Sequence, residues 1–275
     1  MTKSSQEIKQ TVREHYASAI KGKGGCCAPA GETEVNQTYN KSLGYSDKEL
    51  QGVAGEISSF GCGNPVTTAE MKPGQVVLDL GSGAGLDLIL AAKKVGPTGK
   101  AIGLDMTPEM IEAANRNIAK SGLKNIEVRK GEMEKMPVAS DSVDWIISNC
   151  VINLSPDKKD VFAESFRVLK PGGRVMISDI VTNNLPKNLQ NNMMTWAGCL
   201  GGAIEETDYI QLVKDAGFED VKIVDKFMYD SKAIDGLTSD DSSGCGCSSC
   251  DSSGLTSTEY AGKVASIKLS ARKPA

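Results

Sequence analysis

Three features of this 275-residue chain carry chemistry: a glycine-rich turn, eight cysteines and a single histidine. The turn is Asp79-Leu80-Gly81-Ser82-Gly83-Ala84-Gly85. It follows the apolar run Val76 to Leu80 and opens a helical pattern at Leu86. Glycines there let the backbone turn sharply after a strand and come close to a ligand. Asp105 ends the next apolar run, where a carboxylate can accept both hydroxyls of a ribose. The third glycine comes one residue earlier than in the Gly-x-Gly-x-x-Gly of dinucleotide sites. Asp79 would also repel a pyrophosphate, whereas it can hold an ammonium. The pattern therefore favours a nucleoside with an amino-acid tail over NAD.

The cysteines sit in distinct settings. Cys26-Cys27 is an adjacent pair in a Gly- and Pro-bearing stretch, and Cys62 stands in Phe60-Gly61-Cys62-Gly63-Asn64-Pro65. Cys150 follows an apolar run in Ser148-Asn149-Cys150-Val151-Ile152-Asn153-Leu154. Cys199 lies in Trp196-Ala197-Gly198-Cys199-Leu200-Gly201-Gly202, and Cys245, Cys247 and Cys250 lie in a Ser-, Gly- and Asp-rich segment.

Elements able to position these residues can be read from periodicity. A first helix spans 4–21, capped by Ser4 or Ser5, with Ile8, Val12, Tyr16 and Ile20 on one face. A loop follows, and a second helix is expected from Ser46, where Ser46 and Glu49 form a capping box. Phe60 to Pro65 reads as a shaped loop. Strands are expected at Val76–Leu80, Ala101–Leu104, Asn125–Arg129, Val143–Ser148 and Arg174–Ile180. Helices fall at Leu86–Val95, from Thr107-Pro108 to about Ser121, and at about 157–168 and 206–216. Alternating βα units of this length predict a parallel sheet with helices on both faces, an α/β Rossmann-like fold. Val221–Phe227 and Val264–Ala271 add two strands. In the second, Ile267, Leu269 and Ala271 alternate with Lys268, Ser270 and Arg272, as in a half-solvated strand. Segment 231–257 has too little apolar content to build a core.

Composition narrows the function. The net charge is −4 and aromatics are 5% of residues, so neither a basic field for phosphates nor stacking platforms for bases is present. No nucleic-acid partner is expected. No apolar run approaches the ~20 residues that cross a bilayer, and Met1 to Gln10 lack the apolar core of a secretion signal. A cytoplasmic protein without a membrane partner is expected, and its cysteines then read as metal-binding or redox-active.

The Asp-x-Gly-x-Gly-x-Gly turn, the Asp141-Ser142-Val143-Asp144 strand entry and the Leu169-Lys170-Pro171-Gly172-Gly173 turn together resemble the class I S-adenosylmethionine-dependent methyltransferases. The resemblance covers about residues 70–182. It implies a mostly parallel seven-stranded sheet, with Asp79, Gly81, Ser82, Gly83 and Gly85 around the methionine part and Asp105 on the ribose. It also implies Met106, Glu132 and Met133 along the adenine, and Asn149 facing the sulfonium.

Methyl transfer to most acceptors needs a general base. None follows the fourth strand, and His15 reads as a surface or half-buried helical residue. Cys150 stands at the C-terminal edge of the sheet instead, where this fold places chemistry. With Cys62 and Cys199 it would form a soft trigonal cage. Trivalent arsenic suits such a cage, because it bonds three sulfurs and keeps a lone pair that needs no base. The cysteine segments, together with Tyr39 and Leu43-Gly44-Tyr45-Ser46, resemble the arsenite methyltransferases over almost the whole chain.

That resemblance implies arsenic(III) bound by Cys62, Cys150 and Cys199, with arsenite and methylarsenite as substrates. It also implies a fourth cysteine at Cys26 or Cys27. A disulfide between Cys62 and one of that pair would form after methylation, and a thiol reductant such as thioredoxin or glutathione would reset it. Cys245, Cys247 and Cys250 read either as a metalloid-capturing arm, as part of a zinc or iron–sulfur site, or as a dispensable tail. Two other functions are carried forward: a methyltransferase for a quinone- or sterol-type acceptor, and a thiol-rich metalloid buffer without turnover.

Three regions are expected. Residues 1–70 form a helical and loop region with Cys26, Cys27 and Cys62, whose helices could close over the cofactor. Residues 71–182 form the cofactor-binding core. Residues 183–275 complete the sheet and the metalloid site.

Overall fold

The structure, a computed structural model, describes residues 4–21, 33–184, 202–231 and 261–275. Its centre is a seven-stranded sheet of β1 (Val76–Leu80), β2 (Lys100–Asp105), β3 (Ile126–Lys130), β4 (Val143–Asn149), β5 (Leu169–Thr182), β6 (Glu219–Met228) and β7 (Val264–Arg272). The spatial order is β3-β2-β1-β4-β5-β7-β6. Strands β1 to β5 pair in parallel, and β7 runs antiparallel between β5 and β6. The seven-stranded class I architecture expected from the sequence is therefore present. Strand order reverses between β1 and β4, and open α/β sheets bind ligands outside the carboxyl ends of strands at such a switch point.

The helices are α1 (Ser5–Ile20), α2 (Thr33–Ser42), α3 (Pro65–Thr68), α4 (Leu86–Val95), α5 (Pro108–Ser121), α6 (Lys158–Val168) and α7 (Glu206–Asp215). One sheet face buries Leu78, Ile146 and Ile177 against Phe162 of α6 and Tyr209 and Val213 of α7. The other buries Val77, Trp145 and Ile147 against Ile89 and Leu90 of α4 and against Tyr45, Leu50 and Ile57 from the N-terminal region. Strand β7 alternates as expected, with Ile267, Leu269 and Ala271 buried and Lys268, Ser270 and Arg272 half-buried. Among the described residues no helix is long and apolar enough to cross a membrane.

Several local expectations change. Helix α1 is capped by Ser4, whose side chain accepts from Glu7 N–H while the Glu7 carboxylate accepts from Ser4. The Ser46–Glu49 capping box forms, with Ser46 N–H 2.8 Å from Glu49 Oε2, but no helix follows. The chain passes through turns into a 3-10 segment, Gly52–Glu56, because Gly52 takes φ +70° and breaks the helical path. Helix α2 occupies a stretch read as loop. Thr107 does not cap α5 through its side chain; its N–H donates to Asp105 Oδ1 at 2.8 Å instead. The turn at 169–173 is absorbed into β5 as an irregularity in register, since Val143 pairs with Leu169 and Trp145 with Arg174.

Candidate active site

A cavity opens at the switch point. Asp79, Gly81, Ser82 and Gly83 line it at the end of β1, with Asp105 and Met106 at the end of β2. Glu132 and Met133 follow β3, and Asn149 and Cys150 follow β4. Gly85 stands behind the wall, where it begins α4 with φ +93°, a left-handed conformation that glycine adopts freely. Gly81 has φ +60°, and a Cβ there would run into the Val151 side chain.

The acids at the cavity floor are buried. Asp79 is 3% exposed, and its Oδ2 has no partner among the described residues. Burial and then the charges of Asp87 and Asp105 hold its carboxyl well above the usual range. An ammonium would satisfy it. Ser82 Oγ is a second buried atom without a described partner. Asp105 accepts from Gly83 N–H at 2.9 Å and from Thr107 N–H at 2.8 Å. The Thr107 side chain and Met106 N–H also reach this carboxylate. Burial raises its pKa, and those hydrogen bonds oppose the shift. This donor set fits a ribose-bearing ligand with an ammonium tail.

Helix α1 closes one side. Lys9, Val12 and Tyr16 line the cavity. Lys9 Nζ lies 2.9 Å from Glu132 Oε2 and 3.1 Å from Glu134 Oε1. Burial opposes the charge on Lys9, but the hydrogen bonds to Glu132 and Glu134 raise its pKa. His15 does not line the cavity. Its ring stands edge-on to Tyr16 with centroids 5.3 Å apart, and burial lowers its pKa.

Cys150 is buried with φ +59°, and its N–H donates to Ser178 O at 2.7 Å. A non-glycine residue in that conformation is held by its surroundings at a cost. Cys62 reaches the same place from the loop before α3. Its N–H donates to Asn149 Oδ1 at 3.0 Å, and its carbonyl accepts from Ser266 Oγ of β7 at 3.0 Å. Both cysteines belong to one apolar cluster with Val12, Leu154, Ile180 and Ala203. Ala203 stands four residues after Cys199. Cys199 itself, Cys26, Cys27, Cys245, Cys247 and Cys250 lie outside the described residues. Among the described residues no group of three His, Cys, Asp or Glu side chains could hold a metal ion.

Two buried features escaped sequence reasoning. Asp87 is 8% exposed and accepts from the Tyr45 hydroxyl at 2.7 Å and from Asn149 Nδ2 at 2.9 Å. Burial pushes its pKa up to about 6 against those hydrogen bonds. An acid inside the apolar run Leu86-Asp87-Leu88-Ile89-Leu90 was the available signal. Asp179, also pushed to about 6 by burial, accepts from the Tyr209 hydroxyl at 3.0 Å. Burial, then Asp179, then Cys62 and Cys150 raise the Tyr209 pKa well above 10.

A family model described as "Methyltransferase domain" matches residues 71–217. The arsenite methyltransferase of Halobacterium salinarum is 45% identical over 237 residues, which is 80% of this chain and 60% of that protein. The mouse arsenite methyltransferase is 33% identical over 235 residues, 81% of this chain and 61% of that one. The chain thus spans about 60% of the length of these curated relatives. Among solved structures, CrArsM, described as an arsenic(III) S-adenosylmethionine methyltransferase from Chlamydomonas reinhardtii, is 29% identical with a TM-score of 0.61. That match covers 90% of this chain and 75% of the algal one. With the sheet order, the glycine turn and this family match together, the chain belongs to the methyltransferase-domain family.

Proposed function

We propose that this chain methylates trivalent arsenic, taking methyl groups from S-adenosylmethionine and holding the arsenic on the thiolates of Cys62, Cys150 and Cys199. The observation that carries this reading is the packing of Cys62 and Cys150, far apart in sequence, into one apolar cluster, with Cys150 lining the cavity. The arsenite methyltransferases above support it. When bound, S-adenosylmethionine supplies a methyl carbon activated by its sulfonium. Asp79 holds the ammonium and Asp105 the ribose. Met106 and Met133 pack on the adenine beside Glu132.

Arsenite enters as As(OH)3. Three thiols replace its hydroxyls, and each thiol proton leaves on a hydroxyl as water, so no base is consumed. The arsenic lone pair remains as the nucleophile, and the apolar cluster keeps water away from it. After methylation the centre is formally pentavalent. A fourth thiol gives up its proton and attacks one arsenic-bound sulfur; that As–S bond breaks, its electron pair returns to arsenic, and the two sulfurs leave as a disulfide. That disulfide joins Cys62 to Cys26 or Cys27, and a thioredoxin- or glutathione-type thiol reduces it. In this reading residues 1–70 carry the resolving thiols, 71–182 hold the donor, and 183–275 bring Cys199. The biological role is arsenic detoxification in the cytoplasm.

The test incubates purified protein with arsenite, labelled S-adenosylmethionine and a dithiol. The wild type should yield methylated arsenic. Cys62→Ser and Cys150→Ser should each abolish product while binding S-adenosylhomocysteine as before. Full activity in both variants rejects the thiolate site, and no product from the wild type rejects the enzyme.

A further inference from the structure

Asn149 ends β4, immediately before Cys150. Its Oδ1 accepts from Cys62 N–H at 3.0 Å and from Gly63 N–H at 3.3 Å. Its Nδ2 donates to Gly63 O at 2.7 Å and Asp87 Oδ2 at 2.9 Å, with the Tyr45 hydroxyl oxygen 3.1 Å away. A primary amide offers two N–H bonds and two lone pairs, so these contacts use it completely. The amide cannot be turned over. An ionised Asp87 only accepts, so the NH2 must face it and the carbonyl must face Cys62 and Gly63. Tyr45, donating to the other oxygen of Asp87, fixes that carboxylate in turn. Gly61 is needed because the loop lies directly on this side chain, and Gly63 faces Ser178 of β5. A Cβ at Gly61 would fall within the Asn149 amide, and one at Gly63 would stand 3.0 Å from Ser178 Oγ.

From this we infer that Asn149 is a positioning residue that sets the separation of the Cys62 and Cys150 thiols. Its backbone leads into one cysteine and its side chain clamps the main chain of the other. The inference rests on the proposed arsenic site and assigns Asn149 a role toward the acceptor rather than toward the donor. Loss of the clamp leaves both thiols present but no longer gauged to one arsenic atom.

Phenylarsine oxide probes that gauge, because its hydrated form, PhAs(OH)2, exchanges two hydroxyls for two thiols and releases two waters. In a background where Cys26, Cys27, Cys199, Cys245, Cys247 and Cys250 are all serine, which also serves the variants below, the chain should bind it one to one, and adding Cys62→Ser should abolish binding. If those two proteins bind it alike, the thiol site itself is wrong and the inference falls with it. Given the expected difference, Asn149→Ala should weaken the probe at least tenfold while S-adenosylhomocysteine affinity changes less than threefold. Gly61→Ala, which pushes a methyl into the same amide, should also weaken the probe at least tenfold. In the Asn149→Ala background it should add less than twofold. General destabilisation would not produce that non-additivity. A smaller loss in Asn149→Ala, an equal loss of S-adenosylhomocysteine binding, or independent effects of the two substitutions would overturn the inference. If Asn149→Ala does not fold, Gly61→Ala carries the affinity comparison alone.

Discussion

The left-handed backbone at Cys150 makes a prediction in which stability and activity part company. A residue with a Cβ costs roughly 1–2 kcal/mol in the left-handed region. Replacing alanine by glycine at an ordinary buried strand position costs about 1.5 kcal/mol, from a lost methyl of ~0.8 and a backbone entropy term of ~0.5–1. At position 150, with φ +59°, the released strain offsets that loss. Cys150→Gly and Cys150→Ala should therefore be equally stable within about 0.5 kcal/mol. Ala101 in β2, fully buried in regular backbone, is the control. Ala101→Gly should lower the melting temperature by about 3–6 °C, whereas the two variants at 150 should melt within about 2 °C of each other. Calorimetry measures both pairs. Neither variant at 150 should methylate arsenite, because neither carries a thiol. If Cys150→Gly melts as far below Cys150→Ala as the control pair differs, the backbone there is not strained and the reasoning fails.

Two further outcomes follow from buried charge. Lys9→Met removes its own two ion pairs, to Glu132 and Glu134, and leaves only Arg13 on Glu132 at 3.8 Å. These partly exposed contacts are worth about 1 kcal/mol, so S-adenosylhomocysteine should leave about fivefold faster in stopped flow; an unchanged rate would mean that α1 does not gate the cavity. Asp87 has a folded pKa of about 6 against an ordinary 3.8. Because the folded value is raised, the charged form weakens the fold above pH 6, and that penalty fades as pH falls toward 4. Its contribution to stability should rise by about 1.4 kcal/mol from pH 8 to pH 5. Denaturant titrations of wild type and Asp87→Asn should differ by that amount between the two pH values, and equal pH profiles would exclude a raised Asp87.

Much of the sheet was legible because its signals are local. Val76–Leu80, Leu86–Val95 and Pro108–Ser121 match the observed elements, each bounded by glycine or proline. Helix α2 was not legible, and its sequence Thr-Glu-Val-Asn-Gln-Thr-Tyr-Asn-Lys-Ser explains why. Two of its buried contacts are amides: Asn36 donates to Glu56 O at 3.5 Å and Asn40 to Ile57 O at 3.1 Å. A helix that packs through asparagine has little apolar periodicity to detect. The Ser46 capping box misled for the opposite reason. Its hydrogen bonds form, but Glu49 also accepts from the Thr67 hydroxyl at 2.6 Å and ties the turn to α3. A local cap can serve a nonlocal contact without starting a helix.

The same division runs through the site. Asp79, Asp105 and Cys150 stand at strand ends on the cavity wall, where strand periodicity alone puts them. Residues that hold those groups in place are joined across long stretches of sequence. Asn149 meets Cys62, Gly63, Asp87 and Tyr45, and nothing in its own neighbourhood announces four partners. The glycines around Cys62 carried half of that information. They marked a shaped loop, but the surface it lies on could be identified only when β4 and the loop were seen together. A thiol site for a soft centre needs little proton chemistry and a well-fixed sulfur separation. In the proposed thiol site, the silent amide and glycines therefore matter as much as the cysteines themselves.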